Sequence, residues 1–180
     1  MECLTLQDFV EMENIERQYF DSANIMPAKE SYEIYLRYPK HICVLREGYQ
    51  IIGFTIILSL KEESYMKVRS GVLQETKLAE DDLDLTESAY SYIYLSTVAI
   101  DEKHRSAQNT VKFMRIFRGH VAELLQGVSV KEAMVDVVTD EGAKIATRFF
   151  KMEPVLETKW NSTIYCVDGD TFAGLFGCEN

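Results

Sequence analysis

The spacing of apolar and polar positions predicts a chain that contains both helices and strands. Apolar residues recur with helical spacing in four segments, from Leu6 to about Tyr19, after Pro27, from 111 to 125, and from 140 to 150. Runs of β-branched and aromatic residues predict strands at 41–46, 51–60, 92–100, 132–138, 156–159 and 163–167. The pattern therefore predicts an α/β (α+β) fold with a mixed sheet.

A polar and acidic segment, residues 61–89, separates the second and third predicted strands. Connections of this length are usually functional or mobile. We interpret the segment as an inserted loop or lid over a substrate, within a single domain spanning residues 1–180; a surface excursion without a role is the alternative. Its leucines favour one short helix; they are Leu73, Leu78, Leu83 and Leu85. The tail after Gly169 is expected to be peripheral.

The stretch from Tyr92 to Leu125 combines a strand, a short polar loop and a helix. Asn109 or Thr110 is predicted to cap the helix by accepting a backbone N–H bond. A loop that opens a helix directs free N–H groups and a positive dipole end at one place, which suits a phosphate. The alternative is an ordinary α/β junction that binds nothing.

Composition narrows the classes of function. The chain has 180 residues, of which 47% are hydrophobic, and a formal net charge of −10. This charge argues against a nucleic-acid partner and is compatible with a cationic or amine substrate, although it also serves solubility. No apolar run approaches the ~20 residues of a membrane span. The four cysteines lack metal-site spacing, so we expect reduced thiols, a cytoplasmic location and no metal.

The run V-A-I-D-E-K-H-R-S-A-Q-N-T resembles the acetyl-CoA-binding segment of the GCN5-related N-acetyltransferase (GNAT) family. In that family an apolar strand precedes a motif of the type R-x-x-G-x-G or R-x-x-G-x-A. Arg105 matches its first position, while Gln108 and Thr110 stand where small residues are usual. The order of predicted elements is also similar to the GNAT fold, over roughly residues 5–168.

The resemblance implies an N-acetyltransferase in which an amine directly attacks acetyl-CoA. Two central strands would splay apart around the pantetheine arm, and the pyrophosphate would lie on the loop after the first of them. The implied cofactor-binding residues are Val98, Ala99, Ile100, Arg105, Ser106, Ala107, Gln108, Asn109, Thr110 and Phe150. Because Gln108 and Thr110 replace glycines that allow close backbone approach, we expect weaker cofactor binding than with the full motif.

Tyr94 and Ser96 are the candidate catalytic residues, because they share one face of the central strand. Tyr94 is a poor direct base, since tyrosine has a pKa of about 10, so the pair is expected to order water that carries the proton away. The alternative is a buried face with satisfied hydroxyls. Some GNAT members have a glutamate where Tyr94 stands.

The general acid is missing from its expected place. In the A-x-x-x-Y pattern of the family, the tyrosine protonates the leaving thiolate, but here the run from Ala146 ends at Phe150. Electrostatics with water, or another hydroxyl or thiol such as Tyr165 or Cys166, would have to serve. Alternatively, the chain is a non-catalytic acyl-CoA-binding or interaction module. The acceptor, a small-molecule or peptide amine, is not identified, and a homodimer is left open.

Overall fold

The computed structural model describes residues 3–22, 25–86 and 89–178. Its helices are α1 Leu6–Glu16, α2 Ala28–Arg37, α3 Glu62–Arg69, α4 Ala107–Leu124, α5 Asp140–Lys144 and α6 Gly169–Leu175. Its strands are β1 Ile42–Glu47, β2 Gln50–Ser59, β3 Tyr92–Ile100, β4 Glu132–Val137, β5 Glu153–Glu157 and β6 Thr163–Asp168. Short 3₁₀ turns lie at Pro39–His41, Glu75–Lys77, Glu80–Asp82 and Glu102–His104, and a π-helical turn at Ile145–Phe149 continues α5.

The strands form one mixed sheet in the order β1-β2-β3-β4-β6-β5, which confirms the predicted fold class. β1 pairs antiparallel with β2, and β6 pairs antiparallel with both β4 and β5. β3 and β4 are parallel, but their pairing covers only Tyr92–Tyr94 opposite Glu132–Met134. In the described residues, β3 runs on to Ile100 without a further β4 partner, so the two central strands are joined only at their beginnings.

Residues Met1–Ile56 and Thr97–His120 form one compact unit, in which the sheet is covered on both faces. On one face Phe9 and Tyr35 of α1 and α2 belong to a core that includes Ile51. On the other face Phe113 of α4 packs with Ile52. Because neighbouring strand residues point to opposite faces, this two-sided burial explains why β2 is apolar almost throughout.

Gly53 allows a close approach between strands of the first unit. A Cβ added there would lie 3.1 Å from the carbonyl oxygen of Ala99 and 3.2 Å from Cγ1 of Ile100. The β1–β2 register also shifts beside it, between Leu45 and Arg46. A glycine within a strand typically marks either feature, and here both occur.

Residues Ile57–Ser96 and Val121–Asn180 form the second unit. Its core contains Tyr65 of α3 and Phe172 of α6, both fully buried. The expectation of a peripheral tail is therefore wrong. Gly169, the first residue of α6, lies directly against the backbone at Val130. A Cβ added to Gly169 would lie 1.8 Å from the carbonyl oxygen of Val130, so this position has no room for a side chain.

The 61–89 segment is anchored differently from the prediction. Its helix is α3, placed before the leucines that had suggested one, because Tyr65 and Val68 form the buried face. Leu83 instead forms a β-bridge with Leu60, and Ser64 Oγ donates to Asp82 at 2.6 Å. Residues 87 and 88 lie outside the described residues, and a lid function stays a prediction.

Two helix predictions in the N-terminal part need correction. α1 ends at Glu16, about one turn earlier than expected. Pro27 is the N-cap of α2 and not its first residue, which still fits a residue without a backbone N–H. Tyr35 is buried as predicted, but Leu36 on the supposed same face is 62% exposed.

No helix within the described part of the chain is both long enough and apolar enough to cross a membrane.

Candidate active site

The start of α4 and the two residues before it lie in the first unit and carry six of the ten predicted cofactor-binding residues. Ser106 caps this helix, because its Oγ accepts the backbone N–H of Asn109 at 3.1 Å. The prediction that Asn109 or Thr110 is the cap is therefore wrong. Both lie inside the first turn, where the Thr110 hydroxyl donates to the carbonyl oxygen of Ser106 at 2.9 Å. Ala107 and Gln108, the first two residues of the helix, have N–H groups without intrahelical acceptors.

The loop before α4 is held by Gln18, which follows α1, and by hydrogen bonds of its own. Gln18 donates to Asp101 at 2.8 Å and accepts the backbone N–H of Glu102 at 2.9 Å. His104 Nδ1 lies 2.9 Å from Asp101 Oδ1, and Asn109 Nδ2 donates to the carbonyl oxygen of His104 at 2.8 Å. These bonds fix the backbone that leads into the helix, so its N–H groups are pre-oriented.

Arg105, like Lys103, is an exposed cation of this loop. Its guanidinium carbon lies 4.9 Å from the centroid of the Tyr19 ring, a cation–π distance. The Tyr19 hydroxyl donates to the carbonyl oxygen of Ile100 at 2.5 Å, which holds the ring in place. Arg105 is therefore supported from one side, while its charge remains available to an anion.

The three predicted strand residues contribute their side chains to the core of the first unit. Val98 and Ile100 pack against the cluster of Leu45 and Phe113. Ala99, only 5% exposed, belongs to the cluster on the opposite face. Any contact of these residues with a cofactor is thus left to their backbone groups.

Tyr94 and Ser96 lie in the second unit, where both bind the same carboxylate. The Tyr94 hydroxyl donates to Glu75 Oε2 at 2.6 Å, and Ser96 Oγ donates to Glu75 Oε1. Glu75 comes from the 3₁₀ turn Glu75–Lys77 within the 61–89 segment. The two hydroxyls that the sequence placed on one strand face are therefore joined by an acid that the sequence analysis did not single out.

Glu75 is a group that can change its protonation state near neutral pH. Burial of the carboxyl raises its pKa to about 7 from an ordinary 4.5, against the hydrogen bonds from Ser96 and Tyr94, which favour the ionised form. The charge of Asp136 adds to the increase. Burial, together with the charges of Glu75 and Asp136, raises the pKa of Tyr94 well above its usual range, so this hydroxyl stays protonated.

Asp136 and Trp160 extend this cluster from β4 and from the β5–β6 turn. Trp160 Nε1 donates to Asp136 Oδ2 at 3.3 Å. The other oxygen, Oδ1, is buried and has no hydrogen-bond partner among the described residues. The cluster thus combines two carboxylates, two hydroxyls and an indole, and it can accept protons or bind a positively charged group.

Phe150 is in the core of the second unit and 2% exposed. Its ring centroid lies 4.9 Å from that of Phe149 and 6.3 Å from that of Phe172. Its N–H donates to the carbonyl oxygen of Ile145 at 3.1 Å, five residues back. Phe150 is therefore the C-cap of the π-helical turn Ile145–Phe149, where an α-helix was assumed. This residue supplies no proton.

The two substitutes for the general acid differ. Cys166 is buried, and burial raises the pKa of its thiol to about 11. Its neighbour in β6, Tyr165, is half-buried. Neither residue forms a hydrogen bond with the Glu75 cluster in the described structure.

Neither pattern nor motif could have found Glu75. It belongs to none of the apolar patterns that were read in the polar 61–89 segment, and it lies 19 residues from Tyr94 and 21 from Ser96. Asp136 was likewise one unremarked polar residue in a predicted strand. Among the described residues there is no group of three or more histidine, cysteine or acidic side chains arranged to hold a metal ion.

No protein-family model matches the sequence, and no curated protein matches it significantly. Solved structures do match. The loading GNATL domain of CurA from Lyngbya majuscula superposes with a TM-score of 0.61 at 10% identity, over 93% of this chain and 96% of that one. The chain has the GCN5-related N-acetyltransferase fold.

Two further GNAT-fold neighbours were solved with a CoA compound. The GphF GNAT-like decarboxylase in complex with isobutyryl-CoA gives a TM-score of 0.60 at 10% identity, over 92% of this chain and 96% of that one. Arabidopsis thaliana Naa50, in complex with the bisubstrate analogue CoA-Ac-MVNAL, gives 0.56 at 11% identity, over 93% and 96%. At such identities the likeness concerns the fold, which hosts more than one chemistry.

Proposed function

We propose that this protein is an acyl-CoA-dependent N-acyltransferase, with acetyl-CoA as the donor and an amine as the acceptor. The observation that carries the proposal is the buried Glu75 carboxyl, which bridges Tyr94 and Ser96 and has a pKa of about 7. A general base works best when its pKa lies near the working pH, and positioning such a group is a frequent reason for burying a carboxyl.

In the proposed reaction the amine nitrogen attacks the thioester carbonyl carbon, and the carbon–sulfur bond breaks. The nitrogen loses a proton to Glu75, and the thiolate leaves. Tyr94 and Ser96 hold the two carboxylate oxygens through their hydroxyls, so Glu75 keeps one orientation. The sequence had suggested that Tyr94 and Ser96 order a water that carries the proton away. In this proposal Glu75 takes the proton, and the two hydroxyls orient Glu75.

The start of α4 supports binding of the donor. The N–H groups of its first turn, the dipole of an 18-residue helix and the charge of Arg105 together suit a pyrophosphate. Solved GNAT-fold neighbours bound to CoA compounds support the same choice of ligand. Gln108 and Thr110 in place of small residues still favour modest affinity.

A second candidate function is a non-catalytic acyl-CoA-binding or protein-interaction module. The observation in its favour is Phe150, which carries no proton donor and is packed between aromatic rings. Under the enzymatic proposal, the thiolate departs with the help of water and electrostatics, since placing the reactants correctly can supply several kcal/mol of the barrier without an acid.

One experiment separates the two candidates. Calorimetry first measures acetyl-CoA binding, and a thiol-release assay then follows CoA production with a panel of primary amines. The proposal expects binding and amine-dependent thiol release that rises with pH through about 7. Binding without turnover at any pH would support the module, and absence of binding at millimolar acetyl-CoA would reject both.

A further inference from the structure

One carboxylate oxygen in the second unit is buried without a partner. Asp136 Oδ1 is shielded from solvent and forms no hydrogen bond within the described residues, while Oδ2 accepts from Trp160 Nε1 at 3.3 Å. A buried polar group that lacks a partner is costly, and nearly all such groups in folded proteins are satisfied. An acceptor that the described residues leave unsatisfied beside a candidate catalytic cluster can therefore accept a hydrogen bond from a ligand that carries a donor or a positive charge.

The surroundings of this oxygen are negative. The charge of Asp136 raises the pKa of both Glu75 and Tyr94, so the three groups lie within electrostatic reach of one another. The Tyr94 hydroxyl stays protonated and neutral, so it does not compensate the carboxylates. A positive group placed at Oδ1 would therefore gain a charge-assisted hydrogen bond in a poorly solvated place.

The Trp160 ring supplies the second element of a cation site. Lys159 Nζ lies 5.2 Å from the centroid of this ring, a cation–π distance. The indole therefore contacts the protein's own ammonium group, which shows that its surroundings accept a positive charge. The turn that carries the ring is fixed, because Thr158 N–H donates to the carbonyl oxygen of Ser162 at 2.8 Å and their hydroxyls lie 2.6 Å apart. The carboxylate and the aromatic ring are thus held together before any ligand arrives.

We propose that Asp136 Oδ1 and the Trp160 ring bind a positively charged group of the acceptor, separate from the nitrogen that is acylated. The inference rests on the proposed function. The reacting nitrogen must give up its proton to attack, and a carboxylate that held it would stabilise its charged form. The positive group that binds Asp136 must therefore be a second charged group of the acceptor. This assigns the acceptor to diamines or other amines that carry an additional ammonium or guanidinium.

The test compares putrescine, a diamine, with n-butylamine, its matched monoamine, in the thiol-release assay with acetyl-CoA. The parent protein is expected to prefer putrescine in kcat/KM. Asp136→Asn is expected to reduce this preference about tenfold or more, equal to ~1.4 kcal/mol. The preference is read as the ratio of the two amines, because removing the charge of Asp136 also lowers the pKa of Glu75 and changes the rate with both of them. The loss specific to putrescine should appear as a higher KM for that amine. Asp81→Asn, which removes an exposed carboxylate from the same unit, is the matched control and should leave the preference intact.

A binding measurement without acetyl-CoA separates this inference from the proposed function. Putrescine should raise the melting temperature of the parent protein and of Asp81→Asn, but not that of Asp136→Asn. Trp160→Leu, which removes the ring and leaves Asp136, should weaken the same effect and serves as the second variant should Asp136→Asn not fold.

The outcomes are distinct. Putrescine binding that depends on Asp136, without thiol release from any amine, would overturn the proposed function and leave the cation site standing. Thiol release with equal preference in the parent protein and Asp136→Asn would overturn the cation site and leave the acyltransferase standing. In the binding measurement, equal effects of putrescine and of 1-butanol, which carries no charge, on the parent protein would also overturn it, since a neutral donor then suffices at Oδ1.

Discussion

Replacing Glu75 with glutamine tests the central feature of the candidate site, because it removes the charge and nearly preserves the shape. The carboxyl accepts from Tyr94 and Ser96, and the glutamine oxygen retains one of these bonds. Its amide can donate to the other hydroxyl oxygen. The substitution therefore changes protonation chemistry far more than packing.

The effect on stability follows from the pKa. Burial raises the folded-state pKa from an ordinary 4.5 to about 7. Between these values the folded protein retains a proton that the unfolded chain has lost, so the free energy of unfolding decreases as pH rises from about 4.5 to 7 and is constant above. Since one pKa unit corresponds to ~1.4 kcal/mol, the loss reaches at most about 3 kcal/mol. Glu75→Gln should abolish this loss.

Glutamine at position 75 is therefore expected to make the protein more stable at pH 8, by up to about 3 kcal/mol, and equally stable near pH 4.5. It is also expected to lower kcat/KM by about 10²–10⁴, because a positioned base typically contributes that much. The increase of rate with pH through about 7 should disappear from the remaining activity. Gained stability together with lost activity is the signature of a group kept for chemistry.

Urea unfolding at several pH values, with the thiol-release assay on the same samples, measures both effects. Glu153→Gln is the matched control, since this exposed glutamate of β5 is not bound to Tyr94 or Ser96. Its replacement should change neither the dependence of stability on pH nor the rate of thiol release. If the parent and Glu75→Gln proteins show parallel stability curves at all pH values, the carboxyl does not have its raised pKa. If the activity of the variant is normal, Glu75 is not the base.

Three further predictions concern the remaining elements. Arg105→Gln should weaken acetyl-CoA binding about tenfold in calorimetry, as expected for one lost charge-assisted contact, whereas Lys103→Gln, with the same charge change in the same loop, should have less effect. Phe150→Tyr should lower the free energy of unfolding by roughly 1–3 kcal/mol, because it buries a hydroxyl. Phe149→Tyr, at a position that is 37% exposed, should leave the stability unchanged. Equal melting temperatures of the two variants would contradict the buried placement of Phe150. Gly119→Ala should stabilise the protein by about 0.5–1 kcal/mol, since nothing lies within 4 Å of the added Cβ in α4, and a lowered melting temperature would refute this.

The fold could be predicted largely from local patterns. Helical spacing from 111 onwards reflects one buried face, and the largely apolar run of β3 reflects burial on both faces of the sheet. Either pattern is visible in a short window of sequence. The prediction of secondary structure and burial failed for segments that are buried by residues distant in sequence. The helix of the 61–89 segment buries Tyr65 and Val68 and not the leucines, and α6 contributes Phe172 to the core of the second unit.

The candidate site divides in the same way. The sequence by itself determined that Tyr94 and Ser96 share a strand face, that Arg105 precedes a helix start, and that Phe150 has no hydroxyl, because these follow from chemical identity and from the two-residue repeat of a strand. Only the tertiary structure decided that Glu75 lies against those hydroxyls and that an oxygen of Asp136 is buried without a partner. The physical reason is that a pKa depends on solvent exclusion and on nearby charges, and both arise only when segments far apart in sequence come into contact.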